Sequence, residues 1–160
     1  MQIDLSIFTK NRPLIGLDIS SSSVKMVELS EGSKGVRRIE RYAIESLPRD
    51  AVVDGNIANL EQVAEAVKRA WKRLGTSTKY AALALPAAAV ITKKIILAAG
   101  MREQEMEAQV ESEANQYIPF AMEEVNLDFQ VIGPAPSSPE EVEVLIAASR
   151  KEKVDDRVAC

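Results

Sequence analysis

Histidine is absent from this 160-residue chain, and cysteine occurs once, as the last residue, Cys160. Those absences exclude, within the chain, zinc sites built on thiolate and imidazole and any nucleophilic triad that needs a histidine base. They also exclude an internal disulfide, which fits a reducing compartment. No apolar run approaches the ~20 residues that a membrane-spanning helix needs. The longest, "YAALALPAAAVITKK", is broken by Pro86 and closed by Lys93 and Lys94. The N-terminal "MQIDLSIFTKNRP" has no basic start leading into an apolar stretch, so no secretory signal is expected. A formal net charge of −4 gives no ground for expecting nucleic acid. The expectation is a cytoplasmic protein that meets a membrane only through partners.

What is present is the makings of a core. The hydrophobic content is 46%, charges of both signs are mixed in, and the length suits one domain or two small subdomains. Charge is unevenly spread: residues 68–94 hold seven Lys/Arg and no acid, and residues 101–128 hold eight Asp/Glu and one Arg. Such segregation is first of all a sign of solvated helix faces. A docking surface is the second reading, and it would be sensitive to salt.

The pattern along the chain is β-β-β-α-β-β-α-β-β, an α/β protein of α+β character with mixed sheets. "LIGLDI" is nearly all apolar, as in a strand covered on both faces. "VKMVELS" alternates, with Val24 and Met26 in step and Val27 and Leu29 one step off. "VRRIERYAIESL" has Val36, Ile39 and Tyr42 apolar among charges; it follows a glycine turn and so reads as a third strand, though a spacing of three also permits a helix, and "PRDAVVDGN" reads as loop. Residues 60–74 form the clearest helix: Leu60, Val63, Ala64, Val67, Ala70, Trp71 and Leu74 recur at three and four. Asn59 is its expected N-cap and Gly75 its stop; Trp71 lies on the apolar stripe and reads as core. Strands "YAALAL" and "VITKKIIL" follow, then a thin-striped acidic helix over about 102–118, ended by Pro119. Two more strands, "NLDFQVIG" and "VEVLIAAS", are separated by "PAPSSPEE", which reads as loop.

The stretch carrying chemistry is "LIGLDISSSSVKMVEL", residues 14–29. Two readings stand side by side. Four serines on a tight turn are ordinary turn residues, with Asp18 bonding to turn amides. Alternatively, the turn aims successive backbone N–H groups at an anion. The hydroxyls of Ser20, Ser21, Ser22 and Ser23 would then add donors, and Lys25 would add charge. Asp18, costly to bury alone, would face Mg²⁺ through water, because that ion keeps several waters and needs few carboxylates. Gly16 reads as a strand glycine permitting close packing.

"GLDISSSSVK" resembles the first phosphate loop of the actin, Hsp70 and sugar kinase superfamily. Three stretches in order, "PLIGLDISSSSVKMVELS", "AVVDGNI" and "EANQYIPFAMEEVNLDFQVIG", resemble more narrowly the N-terminal part of the PilM family of type IV pilus assembly proteins, over nearly the whole chain. The resemblance implies an actin-like fold close to that of the division protein FtsA. Residues 1–78 would be subdomain 1A, 79–148 the inserted subdomain 1C, and 149–160 the start of a return to 1A. It implies ATP bound with Mg²⁺ in the complete protein, with Ser20 to Ser23 and Lys25 at the phosphates and Asp18 facing the metal. Ser20 stands where many superfamily members have glycine, which narrows the allowed backbone angles. It implies a partner as well, the short cytoplasmic N-terminal tail of PilN, held in a groove at the 1A–1C junction. Tyr80, Leu83, Leu85, Val110 and Tyr117 are the residues singled out for that groove. Through PilN the chain would join the other platform and motor components of the pilus.

The superfamily's second phosphate turn, aspartate–x–glycine, is expected after the last strand and is not found; Asp54-Gly55 lacks the intervening residue and lies too early. The adenosine-binding part and the second lobe lie outside the 160 residues. ATP binding by these residues alone is therefore expected to be weak or nil, and turnover is not expected. The reading is a scaffold rather than an enzyme. The alternatives are an ATPase or kinase of the actin superfamily, an FtsA-like division protein, and a type II secretion platform protein.

Overall fold

The computed structural model describes residues 14–32 and 35–160, so the reading of the N-terminal segment 1–13 lies outside the described residues. The chain divides into two units, one running to Ala84 and taking in Ala159–Cys160, the other spanning Leu85–Val158.

In the first unit, β1 (Ile15–Ile19), β2 (Ser23–Glu31) and β3 (Arg37–Ser46) form an antiparallel meander, and β6 (Ala81–Leu83) joins parallel to β1, giving the order β3-β2-β1-β6. Register places Ile15, Leu17, Val24, Met26 and Ala43 on one face, where α1 (Leu60–Leu74) covers them. The helix begins as its sequence dictates: the Asn59 side chain accepts from the Gln62 amide at 3.1 Å, and Gly75 closes it with φ 64°. Its buried stripe is Val63, Ala66, Val67, Ala70 and Leu74, with Trp71 packed at the edge. Ala66 thus takes a buried place that the spacing did not assign it, and Leu60 is exposed. Ion pairs from Arg69 and Arg73 to Glu45 fasten the helix to β3.

Two segments depart from the sequence reading here. Within the expected loop "PRDAVVDGN", Val52–Val53 (β4) and Asn56–Ile57 (β5) form a small hairpin. Its turn residues Asp54 and Gly55 have φ 50° and 76°, the paired positive angles that suit a two-residue hairpin and that Asp-Gly adopts readily. The second apolar set of β2 is not a slip of register either. Val27 stands on the sheet face opposite α1, beside Lys25, and Leu29 follows it beyond a bulge at Glu28/Leu29.

The second unit is a three-stranded antiparallel sheet, order β7-β9-β8, made of β7 (Ile91–Ala98), β8 (Val125–Ala135) and β9 (Ser138–Arg150). The helix α2 (Glu103–Ala114) contributes Met106, Val110 and Ala114 to a core with Ile95, Leu97, Val144, Ile146 and Ala148. The helix ends four residues earlier than expected. Ile118 precedes proline, which disfavours helical angles there, and 115–117 become turn. The "PAPSSPEE" segment is not a loop: both strands run through it, and Ala135 pairs with Ser138 across a tight turn. Pro134 is tolerated because β8 is an edge strand, where a missing N–H costs little. A third helix, α3 (Lys151–Val158), follows β9 in the stretch read as the start of a return to 1A. No helix of the described residues is long and apolar enough to cross a membrane.

Candidate phosphate-binding site

The serine turn joins β1 to β2. Ile19 pairs with Val24, the Ser20 amide donates to the Ser23 carbonyl at 3.0 Å, and Ser21 and Ser22 form the exposed tip. Neither tip residue has positive φ; among the described non-glycine residues only Asp50 and Asp54 do. Serine at position 20 and beyond is therefore accommodated without the left-handed angles that favour glycine. The Ser20 hydroxyl donates to the Ser23 carbonyl at 3.0 Å, fixing the base of the turn. The Ser21 and Ser22 amides make no hydrogen bond among the described residues. They are the donors left for a ligand.

Asp18 and Lys25 are register partners one pair beyond Ile19–Val24, so both side chains stand on the sheet face away from α1. Lys25 Nζ donates to Asp18 Oδ2 at 2.8 Å and to Ser20 Oγ at 3.4 Å. Asp18 therefore bonds to the lysine, not to turn amides. Both side chains are about half open to solvent, at 63% and 48% for Asp18 and Lys25. An ion pair so exposed contributes about 0–1 kcal/mol and yields readily to a better partner.

Asp18 and Lys25 are among the residues that line a cleft of about 600 Å³ on this open face. Gly16 is among its lining residues, and a Cβ there would lie 3.0 Å from Val27 Cγ1, so the close packing expected of this glycine is real. Val27, Tyr42, Ile44, Ala82 and Leu83 are among the other residues that line it. Tyr42 and Ile44 are 72% and 50% exposed, large values for residues so apolar. Sequence reading placed Tyr42 among the apolar positions of its strand but did not see this face. The step between Met26 and Val27 was its signal.

The donor set fits one side of a magnesium–polyphosphate site. An ammonium and two free amides suit phosphate oxygens, and a single carboxylate suits a hydrated cation. No group of three His, Cys, Asp or Glu among the described residues could hold a metal directly. Asp54-Gly55, in its hairpin turn, belongs to the structure of the first unit and supplies no second phosphate loop.

The residues singled out for a peptide groove divide by exposure. Tyr80 and Leu83 are open in the first unit, at 48% and 41%. Leu83 lies on β6, whose outer edge carries no further strand among the described residues. In the second unit Tyr117 is 45% exposed beneath Lys93, whose Nζ lies 4.6 Å from the ring centroid. Leu85 is half-buried, and Val110 is closed off in the core at 1%. Sequence reasoning passed over Phe120, 37% exposed with the Arg150 guanidinium 5.3 Å from its ring centroid.

The stripe of the acidic helix is buried, and its glutamates face water or pair locally, as Glu105 does with Arg102. That hydrogen-bonded pairing holds the Glu105 carboxyl below the usual carboxylate value.

Comparison with known proteins gives these features a setting. A solved chain titled "PilM-PilN type IV pilus biogenesis complex" matches with TM-score 0.78 and 32% identity, over 91% of this chain and 43% of that one. The present chain thus spans less than half the length of that relative. A chain of diol dehydratase-reactivating factor in nucleotide-free form aligns over 80% of this chain and 17% of its own, at TM-score 0.32 and 14% identity, too remote to carry an argument. The model of the family described as type IV pilus assembly protein PilM matches residues 16–160, and the chain belongs to that family.

Proposed function

We propose that this chain is a cytoplasmic scaffold of type IV pilus assembly that recruits the N-terminal tail of PilN, and that it has no turnover of its own. The observation that carries this reading is the 32% identity and TM-score of 0.78 to a chain solved in a PilM–PilN complex. The first unit would be subdomain 1A and the second the inserted subdomain 1C. Among the residues named for peptide contact, Tyr80, Leu83 and Tyr117 have the exposure that a partner requires, and the open edge of β6 suits strand addition. Val110 acts through packing.

The serine turn is read as the first phosphate loop, with Ser20 to Ser23 and Lys25 toward the phosphates of ATP and Asp18 toward Mg²⁺ through water. Phosphoryl transfer also needs clamped phosphates and a group that orients the nucleophile. One turn with one carboxylate supplies neither, which supports a scaffold over an ATPase or kinase.

Co-purification tests the scaffold. Tagged PilN should retain this chain from a defined mixture of the two proteins, and a PilN lacking its N-terminal tail should not. Equal retention by both forms of PilN, or by neither, contradicts the proposal.

A further inference from the structure

We propose that Asp18 and Lys25 are each other's competing ligand, so that polyphosphate and divalent cation bind the serine turn with positive coupling. The inference rests on the phosphate-loop reading above and adds how that site is regulated.

The geometry is simple. Lys25 Nζ, the one ammonium on the turn, is engaged by Asp18 Oδ2 at 2.8 Å and sits 3.4 Å from Ser20 Oγ, at the base of the loop. Asp18, the one carboxylate at the turn, has that ammonium as its ion-pair partner. The two residues face each other across adjacent strands on a rigid, paired part of the sheet, so neither backbone needs to move for the pair to open. A cation approaching Asp18 alone meets a carboxylate already neutralised and a like charge beside it. A polyphosphate approaching Lys25 alone meets an ammonium already held and a like charge beside it. Lys25 turning to a phosphate oxygen releases Asp18 for a hydrated cation, and Asp18 turning to the cation releases Lys25. Each ligand removes the other's competitor, and by reciprocity the factor is the same in both directions. Its size is bounded by what an exposed ion pair contributes, up to about fivefold in affinity.

The test titrates the 160-residue chain with Mg²⁺ alone, with ATP in EDTA, and with Mg-ATP, followed by the NMR shifts of the Ser21 and Ser22 amides, which report even weak binding. Wild type is compared with Lys25→Met, Asp18→Asn and the double variant. The side chains exchanged are exposed, and circular dichroism checks that each variant folds.

Lys25→Met should bind Mg²⁺ alone more tightly than wild type. Asp18→Asn should bind metal-free ATP more tightly, each by up to about fivefold. Both should bind Mg-ATP more weakly. Removing a charge also removes plain repulsion, and the double variant measures that part. The gain in metal-free ATP affinity from Asp18→Asn should be larger with Lys25 present than with Met at that position. Equal gains in the two backgrounds, with Mg-ATP still weakened in both single variants, overturn the coupling and leave the phosphate loop standing. Mg-ATP binding absent from wild type overturns the coupling, and binding unchanged in both single variants overturns the phosphate loop as well.

Discussion

Thr78 Oγ1 donates to Glu28 Oε1 at 3.0 Å, tying the segment that leads into β6 to strand β2, fifty residues earlier. Thr76 Oγ1 donates to the same oxygen at 2.9 Å, and Arg41 holds the other carboxylate oxygen at 2.9 Å. The Thr76 bond, joined by those of Thr78 and Arg41, outweighs desolvation and draws the Glu28 carboxyl below its ordinary value of 4.5. β6 pairs with β1 through three residues, so this anchor supplements a short parallel ladder.

The depressed value of Glu28 sets a sign for pH. A carboxyl whose folded pKa lies below its unfolded one stabilises the fold fully above the unfolded value and loses that contribution as pH falls through the folded one. Glu28→Gln should therefore lower stability at neutral pH. It should also flatten the decline below about pH 4.5, measured by urea denaturation at several pH values. A variant with the same acid slope as wild type would show that Glu28 has no such role.

Gly16 and Val27 form a second tight relationship, since any Cβ at position 16 meets Val27 Cγ1 at 3.0 Å. Gly16→Val should destabilise the chain by about 1–3 kcal/mol, the usual cost of overpacking. Combined with Val27→Ala, the loss should be less than the sum of the two single losses, because neighbours that compete for one space are not additive. Strict additivity in a denaturation cycle would mean that Val27 does not fill the space above Gly16.

Asn59→Ala should cost about 1 kcal/mol by removing the side-chain acceptor of the Gln62 amide at the start of α1. Trp71, the only tryptophan and packed at the edge of that helix's buried stripe, gives the fluorescence that follows the loss. Asn59→Asp, which keeps an acceptor and places a negative charge at the helix start, should retain wild-type stability. Equal losses in both variants would remove the cap from the account of α1.

Where one signal dominated, the sequence was readable. Helix α1 combined a strong period with a capping asparagine and a terminal glycine, and its ends fall where those residues stand. The serine turn was legible as a turn with a carboxylate and an ammonium nearby. Their pairing was not, because Asp18 and Lys25 meet only through the register of β1 and β2. The small hairpin at Asp54-Gly55 was hidden by the shortness of its strands, although Asp-Gly is a strong local sign of a two-residue hairpin turn. Three prolines and two serines masked the β8–β9 turn, where composition suggested loop and an edge strand tolerated Pro134. The open sheet face escaped for a different reason. Val27 and Leu29 were measured against one buried face, when β2 carries apolar residues on both.

The central claim, that this chain carries the adaptor surface for PilN, is tested most directly by fluorescence anisotropy. A labelled peptide of the PilN N-terminal tail is titrated with the 160-residue chain, beside the longer relative solved in its PilM–PilN complex as a positive control. Saturable binding, weakened by Tyr80→Ala or Tyr117→Ala, is the expected result. A flat titration with this chain, under conditions where the control saturates, would contradict it.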